Sequence, residues 1–460
     1  MSDSIVLPLL SKALDTARLE YAKANQASAA AFAKAKASGI AGGTNRASIF
    51  YTPFPLTFVD AKAATATTAD GQCITDFLGN FTAGLFGFSP KPVIDAVSKA
   101  MAHGHALGGA SNKIEAIVAG AFVDRFEAME MVRFSNTGSE ANTYAINTAR
   151  AVTGRNKILM YEGAYHGAWI HGVDLALDIP YEKIYVPYGD SNHICQVIAD
   201  SASDLAAFIM EPVMVNPWVY LKQIAPKPYL KRIRKACSEA GCALIFDEVM
   251  TSRLAPGGAQ ELVGVAPDLT TFGKYFGGGM PFGGFGGKRE WMERHDPAHA
   301  LTINSGGTFN QNALSLAAVD AVLSSLWSPA QCRAHNSKAD GFRDQVNASL
   351  RALDLPCQAC GSGSLITLIW QRRPVIRSTS REGESQELDV SRHKAVSDAA
   401  QLFWFYMLKE HDILAGSPRL NYLTLPVTLE LSDYRNFLIG IEGFAAKYAA
   451  ELGQLSEVTS

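Results

Sequence analysis

The chain lacks any sizeable run of charge of one sign. Its 460 residues carry 41 basic and 44 acidic side chains, a formal net charge of -3. This balance makes nucleic acid or an anionic membrane surface an unlikely main partner. Long apolar runs are missing too, and no stretch approaches the roughly 20 apolar residues of a membrane span. The N-terminal "MSDSIVLPLL" carries an early acid and Pro8, and therefore does not have the pattern of a secretory signal.

Cysteine is scarce. The seven cysteines are odd in number and scattered, which fits a reducing compartment and predicts a cytoplasmic location. One CxxC occurs, from Cys357 to Cys360, with no second cysteine pair and no nearby histidine to complete a zinc site. We interpret it as structural and predict no metal.

What the chain has in abundance is apolar sequence in alternating blocks. It is 48% hydrophobic, which is ample for a large core. From about residue 90, helical segments alternate with short apolar strands, which predicts βαβ units and a mostly parallel sheet. We predict a large domain over 86–330 and a smaller α+β domain over 331–460, joined by an N-terminal segment over 1–85. The polar stretch 377–392 has the composition of a mobile loop.

One strand ends in an unusual way. "ALIFDEV" begins as a buried strand and then places Asp247 and Glu248 side by side. A carboxylate at the end of a buried strand needs a positive counter-ion to be tolerated. Ligands of parallel sheets bind at the carboxyl ends of the strands, so we expect Asp247 to face one.

Two further strand ends carry groups that could bind a ligand together with Asp247. "RFSNTGSEAN" puts Thr137, Gly138 and Ser139 at a helix start, where backbone N–H groups, two hydroxyls and a small glycine could hold a phosphate. Taken alone, such a Ser or Thr is more often a plain helix cap. "DLTTFGKYFGGGM" puts Lys274 after another strand, followed by a glycine-rich loop that matches neither a P-loop nor a dinucleotide fingerprint.

Together these groups predict pyridoxal phosphate. The cofactor needs a lysine for a Schiff base, an acid to pair with its pyridinium nitrogen, and an anion site. Lys274, Asp247 and the helix start supply the three parts. The small or apolar residues before Lys274 favour a partly buried amine, which would be a better nucleophile and base than a surface lysine.

Six motifs occur in the order found in the class III aminotransferases, and the match covers nearly the whole chain. They are "NTGSEAN", "YHG" at 165–167, "EPV" at 211–213, "FDEV" at 246–249, "TFGK" at 271–274 and "GGTFNQN" at 306–312. Within that family the chain most resembles aminotransferases of β-amino acids such as β-phenylalanine, and it is related to the glutamate-1-semialdehyde aminomutases. The resemblance implies the fold-type I α/β architecture, with a mostly parallel seven-stranded sheet flanked by helices.

The resemblance also assigns roles. Lys274 resembles the Schiff-base lysine that shuttles a proton, Asp247 the pyridinium partner, and Tyr165 the aromatic residue that stacks on the cofactor ring. Thr308 resembles a residue that reaches the phosphate of the neighbouring subunit, which implies a homodimer. His166 receives no catalytic role from sequence alone. The implied cofactor-binding set is Thr137, Gly138, Ser139, Tyr165, Glu211, Asp247, Val249, Lys274 and Thr308.

Two arginines and nearby aromatic residues point to the substrate. By resemblance, Arg46 would hold the carboxylate of a β-amino acid and Arg419 the α-carboxylate of an oxo-acid acceptor. The guanidinium fork suits both, although an isolated arginine is usually a surface residue. Phe81 is expected to contact the substrate. Phe50 and Tyr51 either wall the pocket or belong to the core.

The sequence therefore predicts a ping-pong aminotransferase that moves the amino group of a β-amino acid to 2-oxoglutarate or pyruvate. Two alternatives use the same cofactor: an amine transaminase whose donors lack a carboxylate, and an aminomutase of the glutamate-1-semialdehyde type. A third, a non-catalytic protein on this fold, is disfavoured by the joint presence of Asp247, Lys274 and Thr308.

Overall fold

The computed structural model describes residues 6–105, 110–171, 181–213, 227–371, 393–418 and 422–459. The predicted mobile loop at 377–392 and Arg419 lie outside these ranges. The chain divides into two compact units. The first unit, termed the small unit, draws on Met1–Ser89, Ser337–Ile376 and Gln386–Ser460, and the second, termed the large unit, on Pro90–Asn336 with Arg377–Ser385.

Helices and strands alternate along the chain. The helices are α1 Pro8–Ala24, α2 Gln26–Ala37, α3 Lys91–Ala102, α4 Lys113–Arg125, α5 Gly138–Thr153, α6 Ser191–Asp200, α7 Lys227–Ala240, α8 Ala259–Val263, α9 Arg289–Met292, α10 Ala313–Ala321, α11 Pro329–Ala352, α12 His393–His411, α13 Leu431–Lys447 and α14 Ala449–Thr459. The strands are β1 Phe58–Lys62, β2 Thr65–Thr68, β3 Cys73–Asp76, β4 Met131–Ser135, β5 Lys157–Tyr161, β6 Lys183–Val186, β7 Leu205–Met210, β8 Ala243–Asp247, β9 Leu269–Gly273, β10 Gly283–Gly287, β11 Gln358–Ser362, β12 Leu365–Ile369, β13 Ile413–Leu414 and β14 Tyr422–Thr424.

The large unit is built on a seven-stranded sheet. Its strand order is β4-β10-β9-β8-β7-β5-β6. All neighbouring pairs from β6 to β9 are parallel, and β10 is antiparallel to both of its neighbours. Six strands therefore run in one direction and bring their carboxyl ends to the same edge, which confirms the predicted mostly parallel sheet.

Alternation along β8 decides which way its acid points. Leu244 and Phe246 pack in a core cluster with residues of α6 and α7, on one face of the sheet. Ala243 and Ile245 pack in another cluster with residues of α5 on the opposite face. Successive strand residues face opposite sides, so Asp247, two residues after Ile245, faces the side of α5.

The glycine-rich stretch after Lys274 contains a strand, and the expectation of a loop is wrong for 283–287. These glycines lie where the backbone must pass close to its neighbours. A Cβ on Gly283 would lie 2.3 Å from the carbonyl oxygen of Thr137, and one on Gly287 would lie 2.1 Å from that of Asp268. Strand β10 therefore forms because glycine leaves room for close approach, although glycine has low strand propensity.

The small unit has an α+β organisation. The turn at Asp70-Gly71 joins β2 to β3, and β13 pairs in parallel with β3, so the unit joins distant parts of the chain. Helices α1, α11, α12 and α13 contribute to one large core cluster with both sheets of this unit. Cys357 and Cys360 are buried thiols at β11, and burial raises the pKa of Cys360 to about 11.

The described helices were also compared with the dimensions of a membrane span. None of them is by itself long and apolar enough. Ala313–Leu326 with Pro329–Ala352, bent by 75°, meets the length and composition criteria as a pair.

Candidate active site

The predicted cofactor residues of the large unit gather at the carboxyl edge of its sheet. Thr137 follows β4, Tyr165 lies beyond β5, and Glu211 follows β7. Asp247 ends β8, and Lys274 follows β9 directly. These strands run in one direction, so their polar ends meet at one edge, where α/β sheets bind ligands.

Three donors surround the buried carboxylate of Asp247. Asn142 Nδ2 and His166 Nδ1 each lie 2.8 Å from Oδ2. The backbone N–H of Val249 donates to Oδ1 at 3.1 Å. An ionised carboxylate only accepts hydrogen bonds, so the Nδ1 of His166 must be the donor in that contact.

The surroundings keep Asp247 ionised. Burial by itself raises the pKa of this carboxyl, but the hydrogen bonds from His166, Val249 and Asn142 bring the pKa below its usual range. Asp247 therefore carries a negative charge at neutral pH inside the protein. Its Oδ1 accepts one hydrogen bond from the described residues and retains capacity for a second donor.

Asn142 connects three elements around that carboxylate. Besides Asp247, its amide donates to the carbonyl oxygen of His166 at 2.8 Å. Its Oδ1 accepts from Thr271 Oγ1 at 2.6 Å. Thr271 pairs with Asp247 across the β8–β9 register and lies three residues before Lys274. The network thus ties α5, the 165–168 segment and both strand ends together.

The start of α5, termed the cradle (Thr137, Gly138 and Ser139), has the geometry that the predicted anion site requires. Thr137 is the N-cap, and its Oγ1 accepts from the backbone N–H of Glu140. Helix geometry leaves the N–H groups of Gly138 and Ser139 without intrahelical acceptors. A Cβ on Gly138 would lie 2.7 Å from Val249 Cγ1, so only glycine fits there. Ser139 Oγ accepts from the N–H of Ala168, which fixes the 165–168 segment against the cradle.

Lys274 lies in an unusual backbone conformation. Its φ is +53°, in the left-handed region that non-glycine residues seldom occupy, and its side chain is half-buried. Such strain persists only where surrounding structure imposes it, and it concentrates at functional sites. Here the residue turns the chain sharply at the end of β9.

The second acid of the pair serves the fold. Glu248 is buried and accepts from the backbone N–H groups of Ala259 and Gln260 at 2.6 and 2.8 Å. Thr251 Oγ1 also donates to it, at 3.1 Å. Burial raises the pKa of Glu248 and these bonds oppose the rise. The two adjacent acids therefore have separate tasks: Glu248 caps α8, and Asp247 faces α5.

The remaining predicted residues of the large unit differ in exposure. Tyr165 is 46% exposed, with its ring 5.2 Å from that of His171. Glu211 is buried, one residue past the Met210–Phe246 pair, and thus next to the end of β8. Thr308 is exposed, in the segment before α10.

The predicted substrate residues within the described ranges belong to the small unit. The guanidinium of Arg46 lies over the ring of Phe81, with Cζ 5.2 Å from the ring centroid. Tyr51 belongs to the core: its ring is 4.7 Å from that of Trp404, and its hydroxyl accepts from the N–H of Leu56.

Sequence reasoning left Asn142 and Thr271 out and gave His166 no role. Asn142 is the last residue of "NTGSEAN", one helical turn after Gly138, which places it on the same face of α5 as the cradle. That spacing was the available signal. The contact of His166 with Asp247 depends on how the 165–168 segment folds back, which no local pattern specifies.

Pyridoxal phosphate fits this donor set. The ionised, buried Asp247 can pair with a cationic ring nitrogen, and the N–H groups and hydroxyls at the start of α5 can hold a phosphate. Lys274, directly after β9, carries a primary amine, the kind of group that pyridoxal phosphate needs for a Schiff base. His166 Nε2 is buried with no hydrogen-bond partner among the described residues, which fits a neighbouring ring system.

The likeness to known proteins extends over most of the chain. Residues 48–378 match the family described as Aminotransferase class-III. The chain is 33% identical to the β-phenylalanine transaminase of Variovorax paradoxus over 445 residues, covering 96% of this chain and 98% of that protein. It is 38% identical over 305 residues to the glutamate-1-semialdehyde 2,1-aminomutase of Methanocaldococcus jannaschii, covering 62% of this chain and 70% of the other.

Solved structures of aminotransferases have the same fold as this chain. The crystal structure of the Variovorax paradoxus β-phenylalanine aminotransferase superimposes with a TM-score of 0.87 at 32% identity, covering 96% of this chain and 98% of that one. A transaminase solved with PLP bound gives 0.78 at 26% identity, covering 95% and 99%. Membership of one family explains the ordered motifs, the sheet and the cofactor groups together: this chain belongs to the class III aminotransferases, pyridoxal-phosphate enzymes of fold type I.

Proposed function

We propose that this enzyme transfers the amino group of a β-amino acid with an aromatic side chain to a 2-oxo acid, either 2-oxoglutarate or pyruvate. The reaction follows ping-pong order, in which the donor leaves as its oxo acid before the acceptor binds. The scarcity of cysteine supports a cytoplasmic location. The similarity to a β-phenylalanine transaminase over 96% of the chain supports the donor class.

Lys274 and Asp247 carry the chemistry. Bound pyridoxal phosphate supplies an electron sink for the substrate carbon that loses its proton. Lys274 Nζ removes that proton and returns it elsewhere as general base and acid. The carboxylate of Asp247 keeps the ring nitrogen protonated. Tyr165 covers the ring, Val249 packs against the cradle, and Glu211 lies beside the strand end that carries Asp247.

A second copy of the chain completes the site. Thr137, Gly138 and Ser139 hold the phosphate in one subunit, and Thr308 of the other subunit reaches the same phosphate. The exposure of Thr308 supports this role. So does the large exposed fraction of two apolar side chains in the same segment, Leu301 and Phe309, at 65% each. Apolar exposure of that kind typically marks an interface.

Two arginines set the substrate class. Arg46 holds the carboxylate of the β-amino acid donor, and Phe81 contacts its side chain. Arg419 holds the α-carboxylate of the acceptor. A guanidinium binds a carboxylate through two parallel hydrogen bonds, which gives both affinity and orientation.

The observation that carries the proposal is the pair of adjacent strand ends: an ionised Asp247 held by three donors, and a strained Lys274 after the neighbouring strand. Lys274→Ala tests it. The variant should lose the visible absorption of the lysine-linked cofactor, and turnover should fall by at least about 1000-fold. Lys288→Ala serves as the control, because Lys288 follows the antiparallel strand β10 and so lies at the opposite edge of the sheet. Full activity of Lys274→Ala would refute the mechanism.

A donor screen separates the alternatives. β-Amino acids, α-amino acids and simple amines are each offered with 2-oxoglutarate or pyruvate, and turnover is measured. We expect β-amino acids to be preferred. Preference for simple amines would indicate an amine transaminase, and conversion of an amine without any added oxo acid would indicate an aminomutase.

A further inference from the structure

The small unit contains a strained turn that carries two residues in contact with Arg46. Residues 79–82 all have positive φ: +55° at Gly79, +45° at Asn80, +55° at Phe81 and +80° at Thr82. Left-handed backbone is disfavoured for residues with a Cβ, and three such residues in succession are rare. We term residues 79–82 the left-handed turn. The surrounding structure must impose its backbone conformation, and strain of this kind indicates function.

Buried groups anchor the left-handed turn on both sides. Asp76 Oδ1 accepts from the backbone N–H groups of Leu78 and Gly79 at 2.7 and 3.0 Å. The N–H of Thr82 donates to Thr424 Oγ1 at 3.1 Å, and that hydroxyl donates to the carbonyl oxygen of Leu78. A Cβ on Gly79 would lie 2.4 Å from the carbonyl oxygen of Thr424, so the turn packs tightly against β14.

The two central residues of the turn both contact Arg46. Its Nη1 donates to Asn80 Oδ1 at 2.8 Å, and its guanidinium lies over Phe81. A guanidinium has five N–H donors in a fixed plane. Among the described residues only this one side-chain hydrogen bond is made, so a second edge of the fork remains available to a carboxylate.

We propose that Asn80, presented by the left-handed turn, is a positioning residue that orients Arg46 for the carboxylate of the amino donor. This inference rests on the proposed function, because it gives Arg46 that task. Asn80 does not touch the substrate. It fixes one edge of the guanidinium while Phe81 fixes its plane, so that the remaining edge points in one direction.

An amide suits this task better than an acid. The amide oxygen of Asn80 accepts a hydrogen bond without neutralising the guanidinium, so the full positive charge of Arg46 remains for the donor carboxylate. A carboxylate at this position would also hold Arg46, but it would compete with the substrate for the same charge.

Asn80→Gly tests the role, because glycine removes the amide and tolerates the left-handed backbone. kcat/KM is measured with β-phenylalanine and with 1-phenylethylamine, an aromatic amine that has no carboxylate. The value for β-phenylalanine divided by the value for 1-phenylethylamine should fall about tenfold. That change is the equivalent of a lost hydrogen bond to a charged group. Ala63→Gly is the matched control, since Ala63 has φ +51° in the same unit and no contact with Arg46. Its ratio should equal that of the wild type.

Asn80→Asp provides the rescue. Aspartate accepts the same hydrogen bond and tolerates the same φ, so the ratio should recover to a value between those of Asn80→Gly and the wild type. A ratio for Asn80→Gly equal to that of the wild type would overturn the inference.

A further variant separates this outcome from failure of the proposed function. Arg46→Ala should lower the same ratio by more than Asn80→Gly does. If Arg46→Ala leaves the ratio unchanged, the proposed carboxylate specificity is wrong and the positioning role falls with it. If Arg46→Ala lowers the ratio and Asn80→Gly does not, only the positioning role is wrong.

Discussion

At the scale of single residues, the site depends on how one buried charge is stabilised. Asp247 would have a raised pKa if burial acted alone, and three donors reverse the direction. Asn142 matters most among them for the structure, since its amide serves Asp247, the carbonyl oxygen of His166 and Thr271 together. Removing one member of a buried network leaves the others unsatisfied.

We therefore expect Asn142→Ala to raise the pKa of Asp247 and to destabilise the protein by about 1–3 kcal/mol. Asp247 would then protonate at a higher pH, so the acid limb of the pH profile of kcat should move to higher pH. Kinetics over a pH series and chemical denaturation of the holoenzyme measure the two effects. Asn147→Ala, on the same helix without a contact to Asp247, is the control. Wild-type pH dependence in Asn142→Ala would contradict this account.

The sequence was sufficient to predict that Asp247, Lys274 and the start of α5 lie at one edge of the sheet, because each follows an apolar strand and the carboxyl ends of parallel strands meet. It was insufficient for His166 and Asn142. Their contacts depend on the parity of β8 and on the rotation of α5, and both are fixed by packing in the core clusters rather than by local pattern.

At the scale of elements, β10 shows where composition misleads. Propensity favours a loop for a segment with four glycines in five residues, yet the segment completes the sheet between β9 and β4. The alternation of apolar blocks predicted a mostly parallel sheet because the side chains of buried strands such as β7, β8 and β9 fill the core. In β10 the determining factor is the space left by absent side chains, which becomes visible only once the neighbouring backbone is known.

Gly287→Ala should therefore destabilise the protein. Its Cβ would lie 2.1 Å from a backbone oxygen, which cannot move without breaking the pairing of β9 with β10. We expect a loss of about 1–3 kcal/mol or more. Gly341→Ala, in α11 with open space around it, should instead stabilise by about 0.5–1 kcal/mol. Thermal unfolding of both variants measures the contrast, and equal effects would contradict the steric explanation.

The contribution of Asp76, which anchors the left-handed turn, to the free energy of unfolding depends on pH. Burial, opposed by the bonds from Leu78 and Gly79, raises its pKa from 3.8 to about 6. Between these values the unfolded chain loses the proton first, so the contribution of Asp76 to the free energy of unfolding falls as pH rises through this window. The free energy of unfolding that Asp76 contributes below pH 3.8 exceeds its contribution above pH 6 by about 3 kcal/mol.

Asp76→Asn should remove that dependence, because the amide keeps an acceptor for the turn and does not ionise. We expect the variant to gain stability over the wild type at pH 7.5 and to lose the gain at pH 4. Denaturant unfolding at the two pH values tests this. A gain of the same size at both would show that ionisation of Asp76 is not the cause.

At the scale of the whole molecule, the small unit is built from segments that lie far apart in the chain. The small unit pairs Leu414 with Asp76 across β13 and β3, so its sheet needs residues from both ends of the chain. Alternation of helices and strands could not predict this pairing, because the contact is long-range. Sequence pattern predicted only that the N-terminal segment would join the smaller domain, and it did not predict which strands would pair.

The proposed homodimer gives the large unit a testable surface. Phe309, 65% exposed and next to Thr308, should be buried between subunits. We expect Phe309→Asp to yield monomers in sedimentation velocity and to bind pyridoxal phosphate more weakly, since Thr308 would no longer reach the second site. Leu431→Asp, which changes a 74% exposed residue at the start of α13, should remain dimeric. A dimeric, fully loaded Phe309→Asp protein would argue against this interface.

The left-handed backbone of Lys274 bears on how that position tolerates change. If a library randomised at position 274 were screened only for expression and solubility, the survivors should be enriched in asparagine and glycine, because these residues adopt that geometry most readily. Alanine bears the same conformational burden as lysine, and an alanine variant therefore compares the amine alone. The lysine proposed to bind the cofactor thus stands at a point where folding, taken by itself, would select a different amino acid.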